Sequence, residues 1–568
     1  MNIINKALLH LILMPAGLYR KLGIDLPQLR SIVNTKLLMD DRRPNTFQQT
    51  SRRKKGKEVS LATVGTMLLS LLLGLIYLYA FMVGKNMITH LTIYFSMFFF
   101  MLSATLITDF TSVLIDVRDT FIILPKPVND RTLITARLLH IFIHLCKIVL
   151  PMSIPGVIMA AYDNGPAGAA LLFLIALLVT LFVLFFINAL YILILRFTKP
   201  QKFQSIISYI QIVFAIVIYA SYQLIPRMAD ILHMNELDLS GKPFIIFYPI
   251  YWFACLWQAL MTFNVCQSIW IAAILGFILP FVSIWIVVKF LAPSFNNKLA
   301  MISSTVDTGQ PAKPVSVHRK INYAEWLSRI FTKGFIERMG FQFTWKMTSR
   351  SRDFKMRVYP TIGYLVVYLV IVFWNGRHIN FEKIRDQGAG SKVLIISALY
   401  FSSFLLTMAL NQMIYSEKYK AAWIFYVSPL QNPGEVILGA AKAAILKFYI
   451  PLVILITGTG IFLIGPSVIP NLVLGLFNQL LIAFILVFGG NIVFPFSLHQ
   501  NTNVKAGSFI RSMSILFVSG LIAFGHYLIY DFLPAVLLCS LISLLALWYI
   551  TGSIKNTTWK AIKTAYEE

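Results

Sequence analysis

Apolar stretches of about 20 residues recur along almost the whole chain, and they limit the possible folds more than any other feature. A helix of that length crosses about 30 Å of hydrocarbon. The 568 residues are 58% hydrophobic and 13% charged, so the sequence predicts an all-α polytopic membrane protein. We predict twelve transmembrane helices, at about 61–83, 91–115, 134–161, 168–195, 205–226, 269–292, 358–375, 391–415, 437–464, 468–495, 508–529 and 534–552.

The basic residues predict which ends of these helices face the cytoplasm. The chain has 49 Lys and Arg and a net charge of +26, but the loops on one predicted side hold only seven basic residues: Lys85, Arg227, Lys242, Arg377, Lys383, Arg385 and Lys392. Positive residues concentrate on the cytoplasmic side, so we expect both termini there. The charge follows a membrane pattern, and we expect membrane lipid and no nucleic acid as a partner. The predicted location is a prokaryotic cytoplasmic membrane.

The sequence also contains an internal duplication. Matching residues lie at a slowly drifting separation: Lys36 and Lys346 (310 residues), Arg42 and Arg352 (310), Pro125 and Pro429 (304), and Lys147 and Lys447 (300). Two parallel pseudo-repeats of six helices are therefore predicted, an architecture typical of transporters. The expected organisation is a cytoplasmic lead-in with interfacial helices (1–58), a first six-span half (59–293), a cytoplasmic linker with an amphipathic connecting helix (294–357), a second six-span half (358–553) and a cytoplasmic tail (554–568).

A charged, proline-containing loop follows the second predicted span of each half. The residues concerned are Asp116, Arg118, Asp119 and Pro125 in the first half, and Glu417, Lys418 and Pro429 in the second. This pattern resembles ABC-2-type ABC transporter permeases, in which an acidic–basic cluster leads to a proline and a lysine then opens the third span. The resemblance implies that both loops contact a cytoplasmic ATPase as coupling helices. The first copy departs from the pattern by Asp for Glu, Arg for Lys and a shorter spacing. The alternative is an ordinary inner loop whose prolines only end helices.

A basic segment precedes the first predicted span of each half. Its residues are Lys36, Arg42 and Arg43 in the first half, and Lys346, Arg350 and Arg352 in the second. This segment resembles the connecting helix of ABC-2-type permeases, which lies at the inner membrane surface and also contacts the ATPase. Anchoring of lysine and arginine to lipid headgroups explains the same residues without any partner.

Two groups of polar residues are candidates for a substrate path. Arg137, His140, His144 and Lys147 lie on one face of the third predicted span, where they could guide an anionic headgroup or cap and snorkel from the helix start. Ser402, Ser403 and Asn411 lie on the eighth predicted span, the second of its half. The resemblance places that span beside the transport pathway, whereas hydrogen bonding between helices is the competing explanation. No spacing of these residues predicts a metal site.

The sequence has no phosphate-binding loop of the G-x-x-x-x-G-K-[ST] type, so we expect no catalytic residue and no cofactor in this chain. The resemblance implies two copies of a separate ABC ATPase subunit, which would bind ATP and Mg. The predicted function is the permease subunit of an ATP-driven exporter for an amphipathic or hydrophobic substrate. Two alternatives stay open: a twelve-span secondary transporter, which would need membrane carboxylates, and a membrane-embedded lipid-modifying enzyme. Pairing of Cys255 with Cys266 is also open.

Overall fold

The fold is given by a computed structural model of the chain. It describes residues 3–21, 23–42, 62–113, 127–198, 200–231, 236–240, 242–263, 266–286, 289, 323–375, 389–416, 418–488, 492–499 and 507–562. Across these ranges the backbone is helical apart from short loops and two isolated bridges, and no β-sheet is formed.

Nine α-helices precede residue 287. They are α1 Ile3–Leu13, α2 Ala16–Lys21, α3 Leu26–Arg42, α4 Ala62–Ile76, α5 Met87–Val113, α6 Asp130–Phe197, α7 Pro200–Ile231, α8 Pro249–Thr262 and α9 Gln267–Ile286, as far as the described residues extend. The 3-10 helix Tyr77–Met82 extends α4, and Pro243–Phe247 precedes α8.

The described residues after 322 form ten more α-helices. They are α10 Tyr323–Phe331, α11 Phe335–Arg350, α12 Arg352–Asn375, α13 Ala389–Gln412, α14 Trp423–Val427, α15 Gly434–Ala444, α16 Ile450–Ile464, α17 Ile469–Phe488, α18 Gly507–Ile529 and α19 Leu533–Lys555. A π-helical turn, Ile445–Tyr449, joins α15 to α16, just before Pro451. Proline cannot donate a backbone hydrogen bond, which suits a widened turn at this position.

Ten helices in the described part of the chain are long and apolar enough to cross a membrane. The chain is therefore a multi-pass integral membrane protein. The count differs from the twelve predicted spans for two reasons. The third and fourth predicted spans both lie in α6, and the eleventh lies in α18, where only the side chains from Phe517 onward are described.

Helix α6 has 68 residues and would be about 100 Å long if straight, far more than a bilayer is thick. It is interrupted at Gly165, whose φ of 71° and ψ of −173° are not helical. Glycine has no Cβ and adopts this conformation without strain, and Pro166 then fits the first turn of the next helix. The third and fourth predicted spans are thus separated by one residue of non-helical backbone.

The chain divides into two compact units. Unit 1 comprises residues 1–49, 53–214 and 224–311, and unit 2 comprises 50–52, 215–223 and 312–568. Each unit has its own apolar core. In unit 1 the core is rich in aromatic residues of α5 and of the 3-10 helix after α4, such as Tyr77, Tyr94 and Phe98. In unit 2 the core is built mainly around α13, α15 and α17.

The helices that precede α4 form a smaller apolar cluster inside unit 1. Leu9 and Ile12 of α1 and Leu29, Val33 and Leu37 of α3 are buried together with Ile143 of α6. The hydroxyl of Tyr19 donates to the carbonyl oxygen of Ile12 at 3.0 Å. The helices α1 to α3 therefore pack against one another and against α6, and their place at the membrane interface stays a prediction.

Candidate functional site

The loop between α13 and α15 contains a short helical segment of its own. A 3-10 turn, Tyr419–Ala422, leads into α14. Helix α14 ends because Ser428 is extended (φ −70°, ψ 138°), a conformation that the following Pro429 favours. The hydroxyl of Ser428 caps the segment by donating to the carbonyl oxygen of Ile424 at 2.6 Å.

Helix α14 has one exposed apolar face. Trp423 is 59% exposed, Ile424 55% and Val427 71%. Their spacing places the three side chains on one side of the turn. The loop lies outside every helix that is long and apolar enough to cross the membrane, and Lys418 and Lys420 beside it are also exposed. Three large apolar side chains are thus exposed together on a short helix that lies outside the membrane-capable helices.

The opposite face of α14 is fixed by aromatic contacts. Phe425 stacks on Phe494, with ring centroids 4.9 Å apart and planes 8° from parallel, and it meets Phe343 of α11 edge-on at 5.5 Å. Tyr426 contacts Phe494 at 5.5 Å and Trp559 at 6.1 Å. We call these five residues the aromatic cluster. It joins four separate segments and holds α14 in one orientation, and each aromatic pair adds about 0.5–1.5 kcal/mol beyond its burial.

Phe494 belongs to the loop of residues 492–499, which pairs with the end of α13. The amides of Phe496 and Leu498 donate to the carbonyl oxygens of Met413 and Ile414 at 2.8 and 3.0 Å. Phe496 has a φ of 56°, and it follows Pro495 in a turn. A positive φ after proline is typical of a type II turn, where glycine is the usual residue. Phe496 keeps this strained position because its ring is buried against Phe343 and Phe354.

The connecting helix α11 packs tightly against α15. A Cβ on Gly439 would lie 2.0 Å from the carbonyl oxygen of Glu337, and one on Gly340 would lie 2.3 Å from that of Val436. Only glycine permits this approach. The side chains at the crossing also pair, since the Lys442 ammonium lies 2.5 Å from Glu337 Oε1 and donates to the Phe331 carbonyl oxygen at 3.0 Å. In the resemblance to ABC-2-type permeases, Lys442 corresponds to the lysine that opens the third span. Here its side chain binds α11.

A second lysine, in the π-helical turn that follows α15, binds the end of α11. Lys447 Nζ donates to the Trp345 carbonyl oxygen at 3.0 Å and to Thr348 Oγ1 at 2.8 Å, and it lies over the Trp345 ring. A cation at a helix C-terminus is favourable because the last carbonyl groups carry partial negative charge. The duplication pointed to Lys447, but no feature of the sequence identified its partners.

In unit 1 the basic face of α6 is directed at α3. His140 is buried, and its Nε2 lies 2.7 Å from Asp40 Oδ2. Burial alone would raise the pKa of Asp40, but the hydrogen bond from His140 and the nearby charges of His140, His144 and Lys147 together hold it below its usual range. Asp40 was missed in the sequence, although it lies in the same basic segment as Lys36. The substrate role of these cations stays a prediction, and their position supports packing of α3 on α6.

The hydroxyl groups of α13 lie inside unit 2, not on an open surface. Ser402 and Ser403 are buried; Ser402 donates to Gln479 Oε1 at 2.6 Å, and Ser403 lies 3.3 Å from Ser519 Oγ. The hydroxyl of Tyr449 donates to the same Gln479 oxygen at 2.6 Å. These contacts join α13 to α17 and α18. They support helix–helix hydrogen bonding, and a pathway role for the two serines stays a prediction.

A neighbouring chain of hydrogen bonds centres on His526. Its Nε2 lies 3.1 Å from Asn471 Oδ1, which can only accept, so Nε2 carries the hydrogen. Its Nδ1 then accepts from the Tyr400 hydroxyl at 3.2 Å, and Tyr400 in turn accepts from Asn478 Nδ2 at 2.9 Å. Every partner is uncharged, so the arrangement suits a neutral imidazole. These hydrogen bonds connect α13, α17 and α18, and none of the groups in them is a carboxylate.

The remaining predicted residues fall into three groups. Lys418, Pro429, Lys346 and Arg350 are exposed, and Lys36, Arg352 and Asn411 are partly exposed. The side chains of Arg42 and Arg137 are not described, although both residues are helical. Outside the described residues lie Asp116, Arg118, Asp119, Pro125, Glu417 and Arg43. The predicted coupling loop of the first half and the acidic residue of the second therefore stay predictions.

The four cysteines are free thiols; Cys255 is buried in α8 and Cys266 is exposed just before α9. No group of three or more His, Cys, Asp or Glu in the described part of the chain could hold a metal ion. Comparison with protein-family models, with curated proteins and with solved structures gave no match to this chain.

Proposed function

We propose that this chain is the membrane-spanning permease subunit of an ATP-driven ABC exporter. Separate ATPase subunits bind its inner face, and their closure on ATP drives an amphipathic or hydrophobic substrate out of the cytoplasm or the inner leaflet. In this proposal the membrane part comprises twelve spans in two parallel halves with both termini cytoplasmic, and two ATPase copies complete the complex.

The exposed apolar face of α14 is the observation that carries the proposal. It lies in the loop that the sequence motif selects, after the second predicted span of its half. Trp423, Ile424 and Val427 are available to a partner, while Phe425 and Tyr426 attach the helix to α11 and to two other segments. A partner that moved α14 would therefore move the bundle with it. Force transmission from a soluble subunit requires this combination of a free face and a fixed face.

The contacts of α11 support the same function. Lys442 of α15 and Lys447 of the π-helical turn after it both bind α11. The connecting helix α11 and α14 are therefore attached to the same element, which begins with α15. Lys346 and Arg350 remain exposed on α11, where they can contact a second region of the same partner. The buried hydrogen bonds of Ser402, Tyr400 and His526 inside unit 2 involve no carboxylate, which favours an external energy source over ion coupling.

Co-purification from native membranes tests the proposal. The full chain, tagged and extracted in mild detergent, is expected to retain an ATPase with a phosphate-binding loop. In the double variant Trp423→Ala with Val427→Ala, the retained ATPase should fall about tenfold or more, because large apolar residues at the centre of an interface carry most of its binding energy.

The matched control is Leu541→Ala with Leu545→Ala, two side chains of α19 that are each 57% exposed and lie in a helix able to cross the membrane. This control should retain the ATPase at the level of the unmodified chain. Absence of any ATPase from the unmodified chain, or equal loss in both double variants, would overturn the proposal.

A further inference from the structure

The residues after α19 do not leave the protein surface but return to the loop that carries α14. In this segment, residues 556–562, the indole Nε1 of Trp559 donates to the carbonyl oxygen of Leu430 at 2.9 Å. The Trp559 ring also contacts Tyr426 of α14 at 6.1 Å and Phe494 at 5.7 Å. We call residues 556–562 the tail segment.

Both ends of the tail segment are anchored in unit 2. Before it, the last turn of α19 lies against the start of α15: a Cβ on Gly434 would be 2.0 Å from the Ile554 carbonyl oxygen, and Lys555 Nζ lies 3.7 Å from Glu435 Oε1. Carbonyl groups at the end of α19 thus meet the positive end of α15, which is a favourable arrangement. After Trp559, Ile562 is buried and forms a bridge with Ile492 of the 492–499 loop.

The loop that the tail segment covers needs such support. Helix α14 has five residues, too few to be stable alone in water. Between α14 and α15, Pro429 and Pro433 interrupt helical hydrogen bonding because proline has no backbone N–H. The carbonyl oxygen of Leu430 therefore has no helical N–H donor. Trp559 supplies a donor to this carbonyl and an aromatic surface to Tyr426. The single side chain therefore contacts both α14 and the loop that leads to α15.

We propose that the tail segment is a latch that fixes α14 against the bundle, with Trp559 as its positioning residue. The latch makes α14 a rigid lever, so that movement of a docked partner is transmitted to α15 and α19 and is not absorbed by the loop. This inference rests on the proposed function for the identity of the partner, but the contacts that form the latch lie within this chain. Trp559 itself is 37% exposed and stays beside the docking face of α14.

The width of the distance distribution between α14 and α11 shows how firmly the tail segment holds α14. This measurement needs no partner protein. Spin labels at Val427→Cys and Lys346→Cys, both exposed, are placed in the full chain with its four cysteines replaced by serine. With Trp559 present, the distance distribution should be narrow. Trp559→Ala should broaden it about twofold, and Trp559→Phe, which keeps a ring but loses the donor, should give an intermediate width. Trp548→Ala is the control, since Trp548 is 75% exposed and lies in α19, before the tail segment.

The same variants are then compared in the co-purification. Trp559→Ala should retain about threefold less ATPase than the unmodified chain, because the docking helix is no longer held in its binding orientation. Trp548→Ala should retain the full amount. An unchanged distribution width in Trp559→Ala would overturn the latch, whatever the co-purification gives. If the unmodified chain retains no ATPase, the proposed function fails, and the width in Trp559→Ala still decides the latch.

Discussion

Asp40 and His140 form a close polar contact between α3 and α6, with 2.7 Å between Oδ2 and Nε2. In unit 2 the corresponding helices, α11 and α15, are joined by Glu337 and Lys442, and by Lys447 at the end of α11. In each unit, a helix that precedes the first predicted span of its half is therefore attached to the helix of the third predicted span, but by different residues. Breaking either pair should loosen the contact between its two helices before the bundle unfolds.

Replacement of Asp40 by Asn should reveal a pH-dependent contribution to stability. The pKa of Asp40 in the folded protein lies below its usual value, so its charge stabilises the fold at pH values above about 4. This stabilisation is lost as the pH falls through the folded pKa. The melting temperature of Asp40→Asn in detergent should thus be lower than that of the unmodified chain near pH 7, with a cost of about 1–3 kcal/mol. The two curves should converge toward pH 3.

Asp163→Asn is the control for this experiment, because Asp163 is exposed on α6. Its melting curve should follow that of the unmodified chain at every pH. A difference for Asp40→Asn that stays the same from pH 7 to pH 3 would show that the carboxylate charge does not stabilise the fold.

Single residues were the hardest features to predict from the sequence. The duplication drew attention to Lys147 and Lys447, and the helical spacing placed His140, His144 and Lys147 on one face of α6. The partner of that face depends on how α3 is rotated, and α3 carries both apolar and charged residues on several sides. Asp40 was therefore indistinguishable from its neighbour Asp41 until the packing was known.

At the scale of helices, the contact between α11 and α15 depends on two glycines. Gly340 and Gly439 bring the two backbones together, and the Glu337–Lys442 pair lies at the same crossing. Close helix approach through small residues is a common means of association in membranes. In the proposed function, a rigid α11–α15 pair would carry a force on α11 or α14 to the third predicted span of its half.

Gly439→Ala should separate this pair. The added methyl group would meet backbone at 2.0 Å, which the helices can relieve only by moving apart. We expect a clear fall in melting temperature, together with faster trypsin cleavage at Lys333 and Lys346. Gly458→Ala in α16 is the matched control, because nothing lies within 4 Å of its added Cβ and alanine favours helix by about 0.5–1 kcal/mol. Equal or greater stability of Gly439→Ala would contradict the close packing.

Helices were predicted well where they are long and continuously apolar. The ten membrane-capable helices lie within the predicted spans or overlap them, since length and hydropathy determine them directly. The exceptions arise where one element continues into another. Gly165 interrupts α6 for a single residue, and α14 is stabilised by rings from distant parts of the chain, which hydropathy does not report.

At the scale of the whole molecule, the proposal assigns the loop with α14 to the cytoplasm and the segment that precedes α8 to the opposite side. Val427 is 71% exposed on the first, and Phe247 is 84% exposed on the second. The two positions can therefore be compared directly with a maleimide that does not cross membranes.

In a chain whose four cysteines are replaced by serine, Phe247→Cys should be labelled in intact cells and Val427→Cys only in inverted vesicles. The reason is the concentration of lysine and arginine in loops on the predicted cytoplasmic side. Labelling of Val427→Cys from outside the cell would contradict the predicted orientation and, with it, the docking of any cytoplasmic subunit.

Photo-cross-linking at α14 identifies the molecule that this helix contacts in the cell. A benzophenone amino acid is incorporated at position 427 of the full chain in living cells, with position 541 of α19 as a lipid-facing comparison, and the products are identified by mass spectrometry. Our account predicts an ABC ATPase cross-linked at 427 and none at 541, with the yield at 427 falling in the Trp423→Ala background. Cross-links at 427 to lipid alone, in cells that express the chain at its natural level, would contradict it.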